Sequence, residues 1–253
     1  MSVPEATLRR VFWRCLFLQA AWNRRGMQNL GFAYAIDPAL RRLYSDPALR
    51  SAALRRHLGA FSCHPYTASA IVGGAIHHEE RVAAGQEPVA GPLAYKQVLQ
   101  GPLAAVGDGF FWAGLRPFFG ALAALGTLAL GWPALVASLL VYNVLHLWLR
   151  WTLFRAGYRS GDEVLTRLAA LSLPAWAARL RDAGSVLCGV IAGIGALSAA
   201  GRIGIGAGAL LLVSAAAGVV ALGYRARLLP TTYAALSLGT AVGALAQVVR
   251  GGR

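Results

Sequence analysis

Lysine is almost missing from this chain, with Lys96 the only one. Acidic residues are also few, 10 against 24 basic, so arginine supplies nearly all of the formal charge of +14. Charged residues of both signs make up 13% of the sequence, against roughly 25% in an average globular protein. So few charges cannot clothe a water-facing surface, which excludes an ordinary soluble domain and points to lipid or other membrane subunits around most of the chain. Cysteine is scarce and scattered at Cys15, Cys63 and Cys188, an odd set without metal spacing. That excludes a disulfide framework and suits a reducing cytoplasmic side. Gly-x-Ser-x-Gly, a catalytic triad and paired-cysteine motifs are lacking, as is the G-K-[ST] ending of a phosphate loop. No period of 20 to 50 residues repeats, which excludes a solenoid. Nucleic acid is not an expected partner, because the arginines flank apolar segments and form no solvated stripe with interleaved aromatics.

What is present is apolar surface: 57% of residues are apolar and mean hydropathy is +0.54. An all-α integral membrane protein is expected, with amphipathic and re-entrant or broken helices followed by C-terminal transmembrane helices. From Leu8 to Leu58 the chain is apolar and basic by turns. Phe12, Leu16, Gln19, Asn23 and Met27 recur at steps of three or four and fit one helical face. Asp37-Pro38 and Asp46-Pro47 each read as a helix start, Asp capping and Pro in the first turn. These two or three helices carry too many arginines to cross a bilayer easily and belong at the interface or against a partner. Arg9 and Arg10 precede a stretch holding Arg14 and Gln19 with no small-residue cleavage site, so no cleaved signal is expected. The piece Ala70 to Ile76 is far shorter than the ~20 residues a span needs and fits a re-entrant hairpin or a short buried helix. His77-His78-Glu79-Glu80 then reads as a solvated polar helix end.

The organising stretch is Gly101 to Ala124, GPLAAVGDGFFWAGLRPFFGALAA. Asp108 is the only acidic residue between Glu87 and Asp162, flanked by glycines, with Trp112 and Arg116 at successive steps of four and Pro117 after them. A charge in a Gly- and Pro-broken apolar segment must face protein, water or a ligand, and transporters build central sites from such discontinuous helices. The competing role is a structural clamp, Asp108 paired with Arg116. Further on, Gly157 to Arg181 reads as an amphipathic linker on the membrane surface. Ala183 to Gly201, Ile203 to Tyr224 and Leu228 to Val249 are each long enough to span.

These residues bear on two chemistries. His64, His77 and His78 suggest a metal, but adjacent helical histidines diverge by about 100° and lack the i, i+4 pattern of a zinc helix, so no metal and no cofactor are expected. A sugar site fits better, pairing polar side chains with an aromatic face for the C–H surface of the ring. The candidates are Asp108, Trp112, Arg116, His64, Gln19, Asn23, Gln28 and Asn143, with Trp22 and Tyr66 nearby. Interhelical hydrogen bonding or interfacial anchoring is the competing role of each.

Three stretches carry a resemblance: LFLQAAWNRRGMQNLGFAYAIDPALRRLY (Leu16 to Tyr44), LRRHLGAFSCHPYTASAIVGGAIHHEE (Leu54 to Glu80) and GPLAAVGDGFFWAGLRP (Gly101 to Pro117). In this order they resemble successive signatures of the IID membrane component of the mannose/fructose/sorbose phosphotransferase systems. Tyr142-Asn143 and Arg155 to Arg159 fit the later pattern. The likeness runs to about Leu180, with Gly109 standing where the family often has Ser.

The resemblance implies a single IID-type membrane domain over residues 1–253. Its parts are basic amphipathic helices and a short re-entrant segment (1–100), a broken-helix core (101–160), an amphipathic linker (161–182) and transmembrane helices (183–253). It implies a non-catalytic membrane subunit that joins a IIC membrane subunit in the translocating unit of a phosphoenolpyruvate-dependent sugar phosphotransferase system. Soluble IIA and IIB phosphocarriers, a hexose substrate, membrane lipid and a hetero-oligomer follow as partners. The alternative is a non-transporting assembly or regulatory subunit. A multi-pass place in the bacterial inner membrane is implied, and the basic load before Leu58 favours a cytoplasmic N-terminal region.

Overall fold

The computed structural model describes residues 2–203, and among these every regular element is helical. The expected spans Ile203 to Tyr224 and Leu228 to Val249 lie outside the described residues. The described residues fall into two compact units: one holds residues 2–119 and 136–181, the other 120–135 and 182–203.

In the first unit, α1 (Glu5–Cys15) buries Leu8, Val11, Phe12 and Cys15, the spacing of one helical face. It ends there, so Leu16, Gln19, Asn23 and Met27 do not continue its face. From there the backbone tightens into i to i−3 turns, the Phe17 N–H on the Arg14 carbonyl and the Ala20 N–H on the Phe17 carbonyl, both at 3.0 Å, and Asn23 Oδ1 then accepts the N–H groups of Arg25 (3.1 Å) and Gly26 (2.8 Å) in a separate turn. Met27 follows at φ 56°, and the Gln28 N–H donates to the Phe61 carbonyl at 2.9 Å.

The second helix, α2 (Asn29–Leu43), contains Asp37-Pro38 in its interior, contrary to the helix start expected there. A proline inside a helix leaves the carbonyl four residues back without its donor. Here that carbonyl is Tyr34's, and Arg14 Nη1 donates to it at 3.0 Å while also approaching Asp37 at 3.4 Å. Asp46 does cap α3 (Pro47–Arg56), accepting from the Ala48 N–H at 2.8 Å.

The core helix is α4 (Ala68–Ala83), buried without interruption from Ala68 to Ile76. The short apolar piece is thus part of one continuous helix and not a hairpin. It crosses α7 (Trp132–Ser160) at reciprocal glycines: a Cβ on Gly73 would strike the Phe154 carbonyl, and one on Gly157 the Ala70 carbonyl. Ser69 Oγ and His77 Nδ1 bond the carbonyls of Arg150 (3.1 Å) and Tyr158 (3.1 Å) along the same crossing.

The end of α4 is not solvated. Glu79 is fully buried and is gripped by Arg56 through two 2.7 Å bonds, by His57 Nε2 at 2.8 Å and by Tyr44 Oη at 2.8 Å. Burial alone would raise this carboxyl, but the bonds from Arg56 and His57 hold it at about 2. Glu80 bonds the Val3 N–H (2.6 Å) and Tyr158 Oη (2.8 Å), tying the N-terminal segment down.

After a loop, α5 (Gly91–Gly107) packs on α4 and runs without a break into a π-helical segment (Asp108–Leu115) and then α6 (Arg116–Leu130). The expected discontinuity is therefore a change of winding, with backbone bonds from i to i+5. Past Ser160, the turn Gly161–Glu163 and α8 (Val164–Ala170) precede α9 (Leu173–Ile203). The polar linker is accordingly shorter than Gly157 to Arg181, because α9 begins at Leu173 and carries Ala183 to Gly201 in one piece.

In the second unit, Gly131 at φ 78° turns α6 into α7, and a Gly126 Cβ would meet Ala134 Cβ at 3.0 Å. Among the described residues two helical stretches, Gly91–Leu130 and Trp132–Gly195, are long and apolar enough to cross a membrane. Only 22% and 17% of their most apolar windows are buried, whereas the core helix of a water-soluble protein is mostly covered.

Candidate functional site

Winding places the central residues. In the π segment Phe110, Phe111, Gly114 and Leu115 are buried, while Asp108, Trp112 and Arg116 lie on the exposed face. Asp108 and Arg116 make no ion pair with each other, so the clamp is not formed. Behind the exposed face sits the loop Phe61 to Thr67. Gln28 pins it, Nε2 donating to the Cys63 carbonyl (2.7 Å) and Oε1 accepting the Cys63 N–H (3.1 Å). Thr67 Oγ1 donates to the Leu103 carbonyl at 2.8 Å, and Gly107 leaves room for the His64 ring against α5.

His64 is 2% exposed. Its ring stacks on Phe111 (centroids 5.2 Å, 12° between planes) and meets the edges of Tyr66 (5.1 Å) and Trp112 (4.8 Å). Burial, helped by the charge of Arg150, lowers the imidazole to about 4, so it is neutral near pH 7. The Tyr66 N–H donates to Nδ1 at 3.2 Å, which assigns the proton to Nε2. That N–H is buried with no acceptor. Such an orphan costs about 1–3 kcal/mol, so its retention asks for a reason.

The wall beyond comes from α7. Tyr142, His146 and Arg150 recur at steps of four, on one face. His146 stacks on Tyr66 (4.7 Å, 21°) and lies 5.3 Å from the Tyr142 ring, and the Tyr66 and Tyr142 hydroxyls are 3.4 Å apart. The Arg150 guanidinium lies 5.4 Å from the Tyr66 ring centroid and donates to the Cys15 carbonyl. The result is a polar-aromatic cluster of His64, Tyr66, Tyr142 and His146, with the half-exposed Trp112 indole at its edge.

Of the residues singled out from sequence, His64 and Trp112 are in contact, and Asp108 shares the exposed face of Trp112 and Arg116. Gln28 is near but spent on the loop. Asn23 serves its own turn, with Nδ2 on Asn29 Oδ1 at 3.0 Å. Asn143 Nδ2 bonds the Leu139 carbonyl of its own helix at 2.7 Å, and Gln19 is exposed in the turn after α1. Sequence reasoning passed over His146 and Arg150, although polar residues four apart in an apolar helix are a readable signal. Among the described residues no group of three or more His, Cys, Asp or Glu is placed to hold a metal ion. His77 bonds a backbone carbonyl, while His78 faces Glu87 at 2.8 Å.

The family model for the mannose/fructose/sorbose family IID component of the phosphotransferase system matches residues 2–221. The chain belongs to this IID family. Among relatives of the IID chain, the mannose-specific EIID component of Escherichia coli (strain K12) is 35% identical over 166 residues, 65% of this chain and 59% of that protein. The fructose permease IID component of Bacillus subtilis (strain 168) is 35% identical over 164 residues, 63% and 58% respectively. The matched part thus spans about three-fifths of these relatives. A solved complex of the mannose transporter ManYZ with microcin E492 (MceA) aligns with a TM-score of 0.61 and 31% identity, covering 76% of the IID chain and 71% of that one. A second solved membrane protein aligns at 0.68 and 30%, with the same coverage. Sequence, helices and neighbours agree on an all-α integral membrane protein.

Proposed function

We propose that this IID chain joins a IIC partner in the bacterial inner membrane to form the sugar-translocating unit of a mannose-family phosphotransferase system. The chain itself is non-catalytic, and soluble IIA and IIB proteins carry the phosphoryl group to the incoming hexose. The N-terminal unit, with its ten arginines from Arg9 to Arg56, lies on the cytoplasmic face. Family membership and the likeness to a mannose transporter support the reading. The observation that carries it is the unsatisfied His64 Nε2–H beside a half-exposed indole. A sugar hydroxyl satisfies the first while its C–H face packs on the second. Asp108 and Arg116 supply further hydrogen bonds to sugar, or to IIC, from the exposed face of the π segment.

The test is uptake of labelled hexose by cells expressing this chain with IIC. The chain alone is expected to give none. With IIC present, His64→Phe and Asp108→Asn are each expected to lower uptake by about fivefold or more, at unchanged amounts of both subunits in the membrane. Normal uptake in both variants would remove this cluster from the pathway.

One observation favours a second reading, in which the chain assembles or regulates the complex without touching sugar. The amides of Gln28, Asn23 and Asn143, obvious hydroxyl partners, are committed to this chain's own structure. IIC moving sugar alone at full rate would decide for it.

A further inference from the structure

Helix α1 is a ridge between two arginine-lined grooves, and one of them carries the features of a lipid headgroup site. We infer that the groove between α1 and α2 binds the phosphodiester of an anionic phospholipid. It is about 480 Å³ in volume and is lined by Thr7, Arg10 and Arg14 on one wall and by Asp37, Arg41 and Arg42 on the other. Four guanidinium groups face one carboxylate, a net charge of +3. Asp37 is already shared between Arg41, at 2.9 and 3.1 Å, and Arg14, at 3.4 Å. Arg10 and Arg42 make no ion pair among the described residues and are exposed. Planar guanidinium forks held a groove's width apart match the oxygens of a phosphate.

The rim selects the source of that phosphate. Arg14 lies over the Tyr34 ring at 4.4 Å, and Phe17 meets Tyr34 edge-on at 6.4 Å. Trp13, Phe17 and Tyr34 are 56%, 56% and 48% exposed, a patch that none of the described residues covers. Aromatic side chains of this kind settle at the level of lipid headgroups, and a basic pocket beside them takes anionic headgroups. A free phosphate ion has no use for such a rim. The inference requires only that the chain sits in a membrane, so a failure of the uptake test leaves it standing.

The full chain, purified in mild detergent, is titrated with dioleoylphosphatidylglycerol or dioleoylphosphatidylcholine and read by native mass spectrometry. Retention of the glycerol lipid and not the choline lipid is expected. The R10Q/R42Q variant changes only unpaired, exposed side chains and should fold normally. It should bind phosphatidylglycerol more weakly by about fivefold for each arginine removed. The second groove, about 510 Å³ and lined by Arg9, Arg155, Arg159 and Arg167, provides the matched control. R159Q/R167Q removes the same charge there and should stay within about twofold of the parent, because diffuse attraction is not local binding. Equal losses in the two variants, no loss in R10Q/R42Q, or displacement of the lipid by millimolar inorganic phosphate would each overturn the inference.

Discussion

A carboxylate with no exposed surface stays ionised only if its neighbours outweigh the cost of leaving water. Glu79 meets that condition through Arg56, His57 and Tyr44, and its folded carboxyl sits at about 2 against an ordinary 4.5. The unfolded chain therefore takes up a proton near pH 4.5 that the folded chain refuses. Stability from this group is complete above that pH and is lost as the pH falls toward 2. His57 acts in the same direction: burial lowers its imidazole below 6.5, so the unfolded chain is protonated first on acidification. Together they predict that the thermal stability of the purified protein in detergent drops from about pH 6.5 downward, the Glu79 part amounting to about 3 kcal/mol. Glu79→Gln should cost about 3 kcal/mol or more at neutral pH by stranding Arg56. Its deficit should shrink as the pH falls; a deficit constant with pH would mean that the carboxylate is not what holds the network. None of this was readable from His77-His78-Glu79-Glu80, because the partners lie 22 to 35 residues away.

Helix contacts turn on single atoms where α4 crosses α7. Alanine is the better helix former, so Gly157→Ala ought to stabilise an isolated α7 by about 1 kcal/mol. In the folded protein the new methyl would be driven into the Ala70 carbonyl, which is backbone and cannot swing aside. The clash wins: a loss of about 1–3 kcal/mol is expected. Gly101→Ala, where a Cβ meets nothing, is the control and should leave stability unchanged or slightly raised. Equal melting temperatures for the two variants would show that the helices are not this close. Local rules read the elements well where the chain's own neighbours decided them, as in the Asp46-Pro47 start of α3. They failed where a distant residue intervened. Asp37-Pro38 looked like a start because its rescue, Arg14 on the Tyr34 carbonyl, comes from another helix. The face drawn from Phe12 to Met27 is lost because the chain leaves α1 at Cys15 through i to i−3 turns, and Asn23 then caps the N–H groups of Arg25 and Gly26 in a turn of its own. The π winding at Asp108 was visible only as a Gly-flanked charge, and its consequence, three polar or aromatic residues on one exposed face, is a matter of register.

For the molecule as a whole, composition and the three ordered motifs were enough to read the fold class and the family. The candidate site was half legible, since His64 and Trp112 were picked out while their neighbours on α7 were not. The orientation proposed above rests on the uneven spread of charge. Ten arginines between Arg9 and Arg56 face only Glu5, Asp37 and Asp46, and the proposal puts that excess on the cytoplasmic side, where basic loops collect. The native cysteines make this measurable. Cys15 and Cys63 are buried and burial pushes both thiols up to about 12, so neither offers a thiolate to a maleimide near pH 7. With the exposed Cys188 changed to serine, Arg24→Cys places a single reactive thiol in the exposed turn before α2. A membrane-impermeant maleimide should label it in inverted vesicles and not in right-side-out ones. Labelling of the opposite sidedness would put the arginine-rich segment outside and overturn the proposed orientation.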